Sequence, residues 1–143
     1  MIEMPIKKSL RFFYPIDWKE LSREIRFGRA KGKCEACKRP HGKLIVQVDG
    51  YWWDADAGLW RDERGRRRAV FPALDRIKMK TIWLSTAHLD NNPGNNTWKN
   101  LKALCPRCHL AQDKQHHLAQ RRITYTLRRA KRRSMNAIRD LFD

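Results

Sequence analysis

Polar and apolar positions alternate along this chain in two rhythms, a helical one near its start and a strand-like one through its middle. Residues 1–16, punctuated by Pro5 and Pro15, are expected to be irregular. Trp18, Leu21 and Ile25 then recur on one face of a predicted helix over 17–30. Asp17 stands three residues before Glu20, the spacing of a capping box, and Gly28 and Gly32 close the helix. Strands are predicted at 44–48 (LIVQV) and 51–60 (YWWDADAGLW) around an Asp49-Gly50 turn, with 61–68 (RDERGRRR) as an exposed charged loop. Trp52, Trp53 and Trp60 are assigned to core filling in preference to base stacking. The β-branched and aromatic run 81–86 (TIWLST) predicts the best strand of the chain and delivers His88 at its end. A polar loop, 91–96, follows, and 100–104 leads back to a helix opened by Pro106 that runs through His117 and beyond. On that helix His109, Asp113 and either His116 or His117 fall on one face. The terminal segment with Ile138, Leu141 and Phe142 is expected to form another helix, and no internal repeat or linker is evident.

Composition narrows the partner. The chain has 143 residues, which suits a single domain, 1–143, with a small core that needs a staple at a mean hydropathy of -0.79. Thirty-two Lys and Arg against 15 Asp and Glu leave a net charge of +17, which favours a polyanion, above all nucleic acid; DNA and structured RNA fit the charge equally. Seven basic residues, Arg121, Arg122, Arg128, Arg129, Lys131, Arg132 and Arg133, occupy 121–133 without an acid and are assigned to nucleic-acid phosphates. No leader-like apolar run and no bilayer-length stretch is present, so no membrane partner and a cytoplasmic, reducing setting are expected. In that setting the four cysteines are not read as disulfides.

Cys34-x-x-Cys37 and Cys105-x-x-Cys108 use every cysteine in the chain. Two such turns present four thiolates to one ion, which predicts a closed structural Zn2+ site. The long stretch between them is then a folded hairpin layer that zinc pins to the helix after Pro106.

Taken in order, Cys34-x-x-Cys37, Ala87-His88-Leu89-Asp90, Asn100-Leu101 and Leu104-Cys105-x-x-Cys108-His109 resemble the zinc-knuckle HNH endonucleases common among bacteriophages. The resemblance spans 34–117 and implies an α+β chain with a ββα-metal core, flanked by the N-terminal helix and a basic helical tail over 121–143. It implies metal-dependent hydrolysis of DNA phosphodiesters, by nicking or double-strand cleavage, that leaves a 5' phosphate and a 3' hydroxyl. His88 would be the general base, His109 a ligand of one catalytic divalent cation (Mg2+, Mn2+, Ni2+ or Zn2+), and Asn100 a loop holder or further ligand. Ala87 stands where many members of the family carry an Asp or His ligand; Asp113, then Asp90 and His117, are the substitutes the sequence offers, with His116 as a further neighbour. Phage packaging or replication proteins would be fitting partners. The rival expectation is a catalytically inactive, zinc-stabilised DNA- or RNA-binding protein.

Overall fold

A computed structural model of the chain describes residues 6–69 and 73–142; Pro5 and the rest of 1–5 lie outside the described residues. The chain divides into two compact units, Met1–Ala111 and Gln112–Asp143. The fold is α+β, with two antiparallel sheets and a long C-terminal helix.

The segment expected to be irregular contains a 3-10 turn over Lys8–Phe13. The first α-helix follows as α1 (Trp18–Arg23) and runs on as a π-turn, Glu24–Arg29. The predicted capping box does not form. Asp17 sits at φ -93°, ψ 20° and makes no side-chain cap, because the turn entering from Pro15 holds its backbone outside the extended region a capping side chain needs. Pro15 O instead accepts the Trp18 N–H at 3.0 Å. Gly28 lies inside the π-turn, and the chain leaves the helix through Lys31 and Gly32, at φ 52° and 70°.

Beyond the knuckle at 33–40 stands a five-stranded sheet: β1 (Leu44–Val48), β2 (Tyr51–Asp54), β3 (Leu59–Arg61), β4 (Arg67–Arg68) and β5 (Lys78–Thr81), ordered β4-β3-β2-β1-β5. Asp49 and Gly50, both at positive φ, make the predicted two-residue turn between β1 and β2. The expected strand over 51–60 is broken after Asp54: its carboxylate accepts the Ala57 N–H at 3.2 Å and its carbonyl the Gly58 N–H at 2.7 Å, folding a tight turn. The charged loop at 61–68 is likewise ordered, as Asp62 collects the Arg64 and Arg66 N–H groups and the Arg66 and Arg68 side chains. Trp52 is buried in the core, while Trp53 and Trp60 meet edge to face across β2 and β3, with centroids 5.6 Å apart.

The run at 81–86 does not form one strand. Thr81 ends β5 in the large sheet, and Ser85 begins β6 (Ser85–His88), which pairs only with β7 (Leu101–Leu104). Residues 82–84 cross between the sheets with Ile82 and Leu84 buried, so the apolar pattern reads continuously although the hydrogen-bonding partner changes. Pro106 opens α2 (Pro106–Asp140), one 35-residue helix with no glycine or proline after its first residue to break it. The separate terminal helix expected around Ile138 is its last turns, and Leu141 and Phe142 lie past its end.

The core, all of it in Met1–Ala111, joins Ile25, Ile45, Trp52, Ile82, Leu84, Leu101 and Leu104 to three of the cysteines, with Trp18 and Leu21 packed on its side. Among the described residues no helix is long and apolar enough to cross a membrane.

Candidate metal centre and histidine loop

The two Cys-x-x-Cys turns meet. In the first, Arg39 O accepts the Cys34 N–H and Cys34 O accepts the Lys38 N–H, each at 2.9 Å, with Lys38 at φ 68°. The second spans the junction of β7 and α2, where Cys105 O accepts the His109 N–H at 2.9 Å. All four Sγ atoms lie within 4.8 Å of one another, and Cys37 and Cys105 are 3.6 Å apart. Thiolates about 2.3 Å from a tetrahedral zinc stand about 3.8 Å apart, so this set fits that ion. Cys34 Sγ also accepts the Cys105 N–H at 3.3 Å, the kind of outer bond that fixes a thiolate's direction.

Four thiols at this spacing cannot all ionise alone. Hydrogen bonds from Cys105 hold Cys34 well below the usual thiol range and Cys37 at about 7. Cys108, bonded to Cys105 and then to Cys34, is pushed far up. A divalent cation removes this conflict, since its charge favours every thiolate at once. The chain therefore presents four cysteines positioned to hold one metal ion.

A clamp that sequence reasoning missed ties the knuckle to the small sheet. Glu35 Oε2 accepts the Ala103 N–H at 2.7 Å, and the Glu35 N–H donates to Ala103 O at 2.9 Å. Arg29 grips the same carboxylate through Nε and Nη2, at 3.0 and 2.8 Å, and reaches Trp98 O and Leu101 O. The only available signal was an acid inside the knuckle, Cys34-Glu35-Ala36-Cys37.

His88 ends β6 and is 9% exposed. Its ring stacks on Trp18 at 5.2 Å and 13°, and meets Tyr14 edge-on at 5.6 Å. Its Nε2 lies 2.9 Å from Asn96 Oδ1, while Asn96 Nδ2 donates to Pro93 O at 3.1 Å. Asn100 braces the same loop: Nδ2 donates to Asp90 Oδ1 and Asn95 O, and Oδ1 accepts the Asp90 N–H. Neither Asn96 nor the aromatic pair over His88 was singled out from the sequence, although the asparagine-rich loop was the available hint.

The two histidines at the centre of the resemblance engage different surroundings. Side chains alternate along a strand, so Ser85 and Ala87 share one face of β6 while Thr86 and His88 share the other. His109 Nδ1 pairs with Ser85 Oγ at 2.8 Å, and Thr86 Oγ1 with Ser22 Oγ at 2.8 Å. Ala87, 1% exposed, is part of the core. Both Asp90 oxygens are taken by its own loop, which lowers the Asp90 pKa, chiefly through the Asn92 N–H. Asp90 and His109 are thus held by different partners, the one by its own loop and the other by Ser85. Asp113, His116 and His117 belong to the second unit, where His117 Nε2 lies 4.0 Å from Asp113 Oδ2. The seven basic residues at 121–133 are exposed there on α2.

No family model, no curated protein and no solved structure matches this chain.

Proposed function

We propose that this protein is a nuclease of the HNH type that hydrolyses DNA phosphodiesters, with His88 as the general base on a ββα element formed by β6, β7 and the start of α2. The observation that carries the reading is the bond between His88 and Asn96. Because Asn96 Nδ2 donates to Pro93 O, its Oδ1 faces the imidazole and His88 Nε2 must supply the proton. That leaves Nδ1 with the lone pair, the form a general base requires before it takes a proton from attacking water. The loop bonds of Asn100 keep Asn96 in register with the strand end. The basic residues from Arg121 to Arg133 supply affinity for phosphates without reading bases. In the HNH reading a divalent cation, when bound, would neutralise the phosphate oxygen and the departing 3' oxygen.

A second reading, a zinc-stabilised nucleic-acid binder without catalysis, is favoured by a specific observation: Trp18 and Tyr14 cover His88, and His109 turns to Ser85 on the other strand face. Supercoiled plasmid separates the two. Wild type is expected to nick it in at least one of Mg2+, Mn2+ or Ni2+ and not in EDTA, and His88→Ala to lose on the order of a hundredfold in rate. Intact plasmid under every condition sinks the nuclease reading, and a His88→Ala variant that cuts at the wild-type rate removes the base assignment.

A further inference from the structure

We propose that the cationic groove bounded by β1, β5 and the first turn of α2 binds phosphate groups of a nucleic-acid backbone. It is a cavity of about 790 Å³ within Met1–Ala111, and it involves neither His88 nor His109. Arg39, Arg76, Lys78, Lys80 and Arg107 line it against two acids, Asp49 and Asp75, which leaves an excess of positive charge. Two of these are already matched: Arg76 to Asp49 at 3.4 Å, and Arg107 to Glu63. Lys78 and Lys80 have no ion pair among the described residues. Two positions apart on β5, they project from one face about 6.7 Å apart, a spacing that suits consecutive phosphates of one strand.

Arg39 points to the ligand. It is 1% exposed, yet no carboxylate pairs with it among the described residues. Its Nη2 donates to Gly50 O at 3.2 Å, its guanidinium lies 5.8 Å from the centre of the Trp52 ring, and Nη1 has no acceptor. Burying a guanidinium without a counter-ion is costly, and the groove it lines adds further positive charge. A phosphate held in the groove supplies the missing counter-charge. The N-terminal end of α2, with Pro106 and Arg107 on the groove wall, adds its dipole in the same sense. The open row of lysines favours a polymer over a lone anion.

This inference deepens the nucleic-acid reading and is independent of hydrolysis, so it is tested by binding with the zinc-loaded protein in buffer without added Mg2+, Mn2+ or Ni2+. Anisotropy of a labelled DNA duplex is followed across a salt series for the full chain and for Lys78→Gln/Lys80→Gln, whose side chains are exposed. The expected result is weaker binding and a salt slope smaller by about 2, as for two lost phosphate contacts. Arg39→Met is expected to weaken DNA binding while raising the melting temperature, because it removes a buried charge held for a ligand. An unchanged slope in the lysine variant overturns the proposal, as does an Arg39→Met protein that melts lower and binds DNA as before. Inorganic phosphate forms the third arm. If it raises the wild-type melting temperature but not that of the lysine variant, while DNA binding is equal in the two, the groove is a free-phosphate site and the polymer assignment is wrong. Wild type that binds no DNA at all defeats the nucleic-acid reading itself.

Discussion

The carboxylate of Asp90 accepts from the Asn92 N–H and Asn100 Nδ2 at one oxygen and from Asn95 Nδ2 at the other, so it braces its own loop. Asn100 is the centre of that arrangement, with three side-chain hydrogen bonds, and Asn100→Ala should cost about 1–3 kcal/mol in a urea titration. A second prediction concerns His41, whose Nδ1 accepts the Leu84 N–H at 2.9 Å between the rings of Phe27 and Trp83. Burial, and then the charge of Arg26, lower its pKa below the ordinary value. The unfolded chain therefore binds this proton more readily, and stability is lost as pH falls from about 6.5 toward the folded pKa, with no further loss below it. The His41 ring protons should titrate with a midpoint below 6.5 by NMR, and the midpoint should return toward 6.5 in urea. At this scale the sequence revealed residue types and missed pairings: His88, Asn100 and the cysteines could be picked out, but not that Asp90 would brace its own loop or that Asn96 and Trp18 would surround His88. Those pairings depend on backbone placement, which spacing does not encode.

Elements were more legible where periodicity and partner coincide. The β1–β2 turn and the start of α2 follow from Asp49-Gly50 and from Pro106, whereas nothing in 100–104 marked it as the strand β7. The 81–86 segment was misread because Ile82 and Leu84 keep the apolar alternation going while the chain moves from one sheet to the other. The capping box failed for a related reason, since a favourable residue pair cannot act where a preceding turn sets the wrong backbone angles. The four cysteines join the 33–40 knuckle to the junction of β7 and α2, so loss of a bound metal should be felt by all three. A thiol-tolerant chelator at neutral pH is expected to remove on the order of 10 kcal/mol of stabilisation. The loss should appear as collapse of the Trp52 near-UV signal, restored by one equivalent of Zn2+. Acid should act in the same direction, because ligand thiolates are protonated as pH falls and the ion is released.

Charge sets the behaviour of the molecule as a whole. Every described residue of α2 from Leu118 to Asp140 is exposed, and Arg128 and Arg129 stand four positions before Arg132 and Arg133, so repulsion along the helix opposes its stability. Sulfate or duplex DNA should raise helical ellipticity. Amides of 118–140 should exchange with solvent far faster than those of β6 and β7, as hydrogen exchange would read directly.

Cys37 and Cys105, 68 positions apart in sequence, are separated by the whole five-stranded sheet. Closing so long a loop in an unfolded chain is entropically unfavourable, whereas hairpins such as β1–β2 close locally and quickly. A zinc ion bound there would close that loop only after the local hairpins have begun to form. Refolding followed at Trp52 should therefore begin at a rate independent of zinc concentration, with the metal deciding how long the finished structure lasts rather than how soon it starts to form.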